Sequence, residues 1–120
     1  MAVDFRIDTA DAIVFSEARG RLTGDDLLDF QKRLREHPDF RDSHRHLLDL
    51  RDLDRIDVPV TALRQLAEAP IFRKGSRQAY VVSSKHASAL ARVFRALASH
   101  YSDDLEIFRD VEKAREWLGC

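Results

Sequence analysis

The stretch Gln78-Ala79-Tyr80-Val81-Val82-Ser83-Ser84 decides the fold, because it is a short apolar strand that runs straight into a helix start. Ala79 to Val82 is the most strand-like run in the chain. Ser84 is a preferred N-cap. Beyond it Ala87, Leu90, Ala91, Phe94, Leu97, Ala98 and Tyr101 recur at helical spacing, which predicts one long amphipathic helix. A strand followed by such a helix is the repeating unit of an α/β sheet.

Working outward, the same unit recurs. Upstream, Arg45-His46-Leu47-Leu48-Asp49-Leu50 crowds three leucines into four positions, which predicts a strand buried on both faces. A helix near Val60 to Glu68 follows, with Val60, Leu63, Leu66 and Ala67 on one side, Asp57 as a cap and Pro70 as the stop. Downstream, Leu105 to Phe108 is a last strand, and Asp110 opens a closing helix through Val111, Ala114, Trp117 and Leu118. Near the start, Val3, Phe5 and Ile7 alternate with Asp4, Arg6 and Asp8, the period of a half-buried strand. Ala12 to Ala18 is its antiparallel partner across the turn Thr9-Ala10-Asp11, and Gly20 breaks the pattern. Thr23 caps a helix bearing Leu27, Phe30 and Leu34, which His37-Pro38 closes. The predicted order is ββαβαβαβα: a mixed five-stranded sheet, strand one antiparallel and the rest mainly parallel, flanked by four helices.

With 120 residues the chain is read as one domain over residues 1–120, which removes roughly 65% of its unfolded surface from water and needs no staple. Hydrophobic residues make up 44% and charged residues 34%, a globular balance. Twenty Lys plus Arg against 21 Asp plus Glu give net charge -1, which argues against a nucleic-acid partner. The longest apolar runs, Ala12 to Phe15 and Ala79 to Val82, are too short for a membrane span or a signal-peptide core. One cysteine, Cys120, cannot form an internal disulfide; it is expected to be an exposed thiol, and the compartment is read as the cytoplasm.

Ligands of open α/β sheets gather beyond the carboxyl ends of the strands. Arg51 and Asp52 after strand three, Ser84 and Lys85 after strand four, and Arg109 after strand five fall there. Ser84 and Lys85 at a helix start suit an anion, although an N-cap alone explains the serine. Asp49, Asp52 and Lys85 suggest a phospho-acceptor site, but Arg19 to Leu22 lacks the further carboxylates needed for its metal. His44 and His46 would share one strand face, yet two imidazoles fall short of a zinc site, and both are read as solvated. A serine triad through Ser83 and His86 lacks the Gly-x-Ser-x-Gly elbow, and Gly20, Gly24, Gly75 and Gly119 are too scattered for a phosphate loop. No catalytic set, metal or cofactor is therefore expected. Ile71 and Phe72 are read as sealing the core, and Tyr101 and Trp117 as core packing.

Gly20-Arg21-Leu22-Thr23-x-Asp25-Asp26-Leu27, His37-Pro38-Asp39-Phe40, Leu48-Asp49-Leu50-Arg51-Asp52 and Ile107-Phe108-Arg109-Asp110, with Ala114 and Trp117-Leu118, together resemble the SpoIIAA-like (STAS/CRAL-TRIO-type) small bacterial domains. The resemblance implies a mixed sheet with helices, no catalytic machinery, and a role in protein interaction or in holding an apolar ligand. STAS antagonists carry a phosphorylated serine in an Asp-Ser-Ser-Gly loop; the matching place reads Asp57-Val58-Pro59-Val60, so Asp57 is kept and the hydroxyl is lost, Thr61 being the nearest. Three functions stand open. One is a non-enzymatic module docking on a protein through the second helix and the strand-three loop. Another is a lipid or apolar-ligand carrier, with the helix Ala87 to Tyr101 as a lid over Phe94 and Leu97. The last and weakest is a hydrolase working at Asp52, Ser84 and His86. A homodimer is compatible with each.

Overall fold

Alternation builds the first hairpin, and the pairing it implies is present. The computed structural model describes residues 2–101 and 104–120. Among them β1 (Val3–Asp8) pairs antiparallel with β2 (Ile13–Thr23), and α1 (Gly24–Glu36) follows. Then come β3 (Arg45–Asp57), α2 (Val60–Glu68), β4 (Gln78–Val81), α3 (Lys85–Ala98), β5 (Leu105–Phe108) and α4 (Val111–Leu118). The sheet order is β1-β2-β3-β4-β5, with β2 to β5 parallel. The mixed five-stranded sheet with four helices, in the order ββαβαβαβα, is the architecture read from the sequence.

Each strand sits beside its predecessor, so crossovers of one hand stack on one face. Val14, Ala18, Leu22, Leu48 and Leu50 meet Leu27, Phe30, Leu34, Leu63 and Ala91 of α1, α2 and α3 there. On the opposite face α4 seals a smaller core of Ile13, Leu47, Ala79, Val81, Ala114 and Leu118. Fully burying each such branched side chain contributes about 1.5–3 kcal/mol.

Two strands run further than expected. Gly20 interrupts β2 but does not end it: its φ of 66° and register shifts at Glu17/Arg19 and Gly20/Arg21 mark bulges that bend the strand and let it continue to Thr23. β3 accordingly passes Leu50 and pairs through Asp57, so the charged stretch from Arg51 is ribbon rather than loop. Asp57 therefore does not cap α2. Its carboxylate accepts from Arg21 and Arg55, and the cap position falls to Pro59, whose carbonyl takes the Ala62 and Leu63 N–H groups.

The other caps follow the sequence. Thr23 Oγ1 accepts from Asp26 N–H at 3.2 Å while the Asp26 carboxylate takes the Thr23 N–H at 2.9 Å, a reciprocal capping box. Gly24 stands where α1 crosses α2, and a Cβ there would lie 2.7 Å from Ala62 Cβ. α3 ends at Ala98, one turn short of Tyr101, which is 44% exposed rather than core. Trp117 is half-buried against Phe108 at 5.7 Å with the Arg77 guanidinium over its ring. Cys120 is exposed.

Candidate functional site

The α1–α3 face encloses a cavity of about 100 Å³ between α2, α3 and the sheet. Its walls include Leu22, Leu48 and Leu50 from the sheet, Leu63 and Leu66 from α2, and Leu90, Ala91, Phe94 and Ala98 from α3. The space arises because the residues α3 buries are small: Ala87, Ser88, Ala91 and Ala98. Exposed Pro70 and Tyr101 mark the mouth, between the α2–β4 connection and the end of α3. Among the described residues that line it there is no Lys, Arg, Asp or Glu.

Its polar side chains include Gln31 of α1, which donates to the Ala69 carbonyl at 2.8 Å, and two near the amino ends of the parallel strands. His46 is the second residue of β3, and Gln78, its partner in register, opens β4. The imidazole is stacked between Phe72, at 4.9 Å and 16°, and Phe30, at 5.9 Å and 28°, with the Tyr80 ring edge-on at 6.2 Å. Tyr80 in turn stacks on Phe94 at 6.0 Å. His46 Nε2 is hydrogen-bonded to Ser16 Oγ, which also donates to the Leu47 carbonyl at 3.2 Å. Nδ1 is buried without a partner. Burial takes the His46 pKa down to about 3, the Gln78 side chain opposing weakly, so the ring is neutral at physiological pH. Burial likewise pushes the Tyr80 phenol up.

Both histidines expected in solvent are therefore interior. His46, in β3, is 2% exposed, and His44, just before the strand, is 5% exposed. Burial, then the charge of Arg41, lowers the His44 pKa. No group of three or more His, Cys, Asp or Glu that could hold a metal lies together among the described residues. Phe72 is buried, as expected of a core seal, and is also a wall of the cavity.

The residues singled out at the carboxyl ends are scattered along a rim already satisfied by internal contacts. Arg51 pairs with Asp49 at 2.8 Å, and its carbonyl accepts from Ser83 Oγ at 3.2 Å. Burial pushes the Asp49 carboxyl up, but the Arg51 side chain and N–H outweigh it and leave the carboxyl below its ordinary value. Asp52 is exposed opposite Arg19 in the β2–β3 ribbon. Arg19 is bonded to Glu17 at 2.9 Å and holds that carboxyl low against burial. Asp57 lies further along the same ribbon, held low first by Arg21 and then by Arg55. Ser84 Oγ accepts from Ala87 N–H at 3.0 Å, a spent cap, and Lys85 is exposed beside it. Thr61 is exposed on the first turn of α2. Of the residues chosen from sequence, Phe94 alone lines the cavity. Gln78 and Tyr80 were missed, and His46 was weighed only as a metal ligand, although polar residues in the inward register of Val14-Ser16-Ala18 and His46-Leu48-Leu50 were a readable signal.

The chain belongs to the SpoIIAA-like family: the SpoIIAA-like family model matches residues 13–119. Among solved structures it is similar to an uncharacterised protein of the DUF3478 family with a SpoIIAA-like fold from Shewanella loihica PV-4. That likeness has a TM-score of 0.63 and 19% identity, covers 98% of this chain and 94% of the other, and shows the fold. No curated protein matches the chain.

Proposed function

We propose that this chain is a non-enzymatic binding module, acting as one domain over residues 1–120, and that it holds a small apolar molecule between α2, α3 and the sheet. The observation that carries the reading is the cavity itself: about 100 Å³ of space bounded by leucine, phenylalanine and alanine side chains, open at Pro70 and Tyr101. Natural cores leave few voids larger than a water molecule, and a somewhat larger apolar void, of about 150 Å³, in another protein takes up benzene. The carboxyl-end rim supports no reaction in this reading, since Ser84 caps α3 and Arg51 is paired with Asp49. With Val58 and Pro59 where a phosphoacceptor serine would stand, the module is not switched by a phosphate there. The lone cysteine supports a reducing cytoplasm as its setting. No helix among the described residues is long and apolar enough to cross a membrane.

The experiment is native mass spectrometry of protein purified gently from its host, followed by incubation with short alcohols and fatty acids. A bound mass, displaced in the cavity-filling variant Ala91→Leu, is the expected result. A clean apo spectrum with no uptake overturns the reading.

A second reading, docking on a protein partner, is favoured by one observation. Val60, at the start of α2, is 51% exposed beside Thr61 and the charged end of β3. Pull-down with wild type and Val60→Asp separates the two, because a partner docked there is lost from the variant while cavity uptake persists.

A further inference from the structure

The sheet has two edges, and they differ. β5 offers four residues, and its Glu106 is paired with Arg95 at 3.7 Å. β1 offers six residues without proline, glycine or bulge, in unbroken register with β2. Edge strands are commonly blunted by such interruptions, because their outward N–H and C=O groups accept another strand. The Arg19 N–H donates to the Ala2 carbonyl at 2.8 Å. By antiparallel alternation Asp4, Arg6 and Asp8 also bond to β2, and the backbone groups of Val3, Phe5 and Ile7 point away from the sheet. Arg33 closes one end of this edge: it donates to the Val3 carbonyl at 2.7 Å, and Val3 is 1% exposed. Phe5 and Ile7 are half-buried, and their outward groups have no partner among the described residues.

The side chains beside those free groups carry alternating charge: Asp4, Arg6 and Asp8. Arg6 rests over the Phe15 ring at 4.2 Å, and Asp8 takes the Asp11 N–H at 3.0 Å. Neither Arg6 nor Asp8 is in an ion pair among the described residues. A second copy meeting this edge about a two-fold axis pairs with it antiparallel, and charge selects the register. Centring on Arg6 sets Arg6 against Arg6 and Asp4 against Asp8. Centring on Asp8 sets Asp8 against itself. Centring on Phe5 needs the closed backbone of Val3. Centring on Ile7 leaves Val3 out, sets Arg6 of each copy against Asp8 of the other, and puts Ile7 against Ile7. There Ile7 exchanges both backbone bonds with its twin, and the charged pairs fall at the positions where side chains approach most closely.

We propose that β1 is a self-association edge, on which a second copy of this chain pairs in the register centred on Ile7 and joins the two sheets into one. The paired segment is short, so the dimer is weak and concentration-dependent.

Sedimentation equilibrium of the full chain from micromolar to millimolar concentration tests this. The wild type is expected to pass from monomer to dimer. Arg6→Asp alone and Asp8→Arg alone are each expected to weaken association about tenfold or more, since each sets like charges together twice. A one-to-one mixture of the two variants is expected to regain it, because in the mixed pair every acid again faces a base; that recovery also shows that both variants fold. Asp4→Ala is expected to associate as the wild type does, Asp4 lying outside the paired charges. A wild type still monomeric at millimolar concentration, single variants that associate as tightly as it does, or a mixture that stays monomeric overturns the proposal. Loss of association in Asp4→Ala overturns the register. The cavity reading stands or falls separately, on ligand uptake.

Discussion

The two ends of the parallel strands are built on opposite plans. At the carboxyl end, charged groups are abundant and are consumed locally: Arg51 by Asp49, Arg19 by Glu17, and Asp57 by Arg21 and Arg55. At the amino end, polar groups are few and buried, and one of them, His46 Nδ1, is unmatched. Exposed ion pairs contribute little to stability, whereas an unsatisfied buried nitrogen is expensive and therefore informative. Abundant polar chemistry along the rim marks solvation.

The comparison can be broken most forcefully with acid. The folded pKa of His46, about 3, lies below its ordinary value of 6.5, so between those values the unfolded state binds more protons. The stability that its burial permits is present above pH 6.5 and drains away as pH falls toward 3, by roughly 4 kcal/mol. The lowered carboxyls of Glu17, Asp49 and Asp57 act in the same direction lower on the scale. Urea denaturation from pH 7 to pH 4 is expected to show the loss, and His46→Phe to flatten it. An equally steep curve in the variant would assign acid sensitivity to the rim.

Phe72→Ala is expected to cost about 3 kcal/mol by removing the ring stacked on His46, read as a lower urea midpoint at unchanged slope. Gly24→Ala, at the α1–α2 crossing, is expected to cost about 2 kcal/mol, because its Cβ cannot fit against Ala62 without backbone movement. Ser84→Ala is expected to cost about 1 kcal/mol, the worth of an N-cap, with ligand uptake untouched. Smallest is the double variant Arg51→Ala with Asp52→Ala, which is expected to stay within about 0.5 kcal/mol of wild type by thermal melting. A large effect there would give the rim a role that its geometry denies.

Element order and strand direction were legible because they rest on local signals: alternation in Val3 to Asp8, the apolar run at Ala79, the helical spacing after Ser84. The length of β2 and β3 was not, because Gly20 is written as a break and only the partner strand shows that it serves a bulge. The site was hidden for a related reason. A rule about carboxyl ends pointed to charged residues, while the opening between α2 and α3 depends on how closely alanines bring a helix to a sheet. His46, two residues from His44 at a strand start, reads as solvated until β4, Phe30 and Phe72 are folded around it.

Amide and methyl chemical-shift mapping during titration with toluene tests most directly where this protein binds. Shifts concentrated at Leu48, Leu63, Ala91, Phe94 and Ala98, with Arg51, Asp52, Ser84 and Lys85 unmoved, are the expected result. Shifts confined to those four rim residues, or no shifts at saturating toluene, would contradict an interior site.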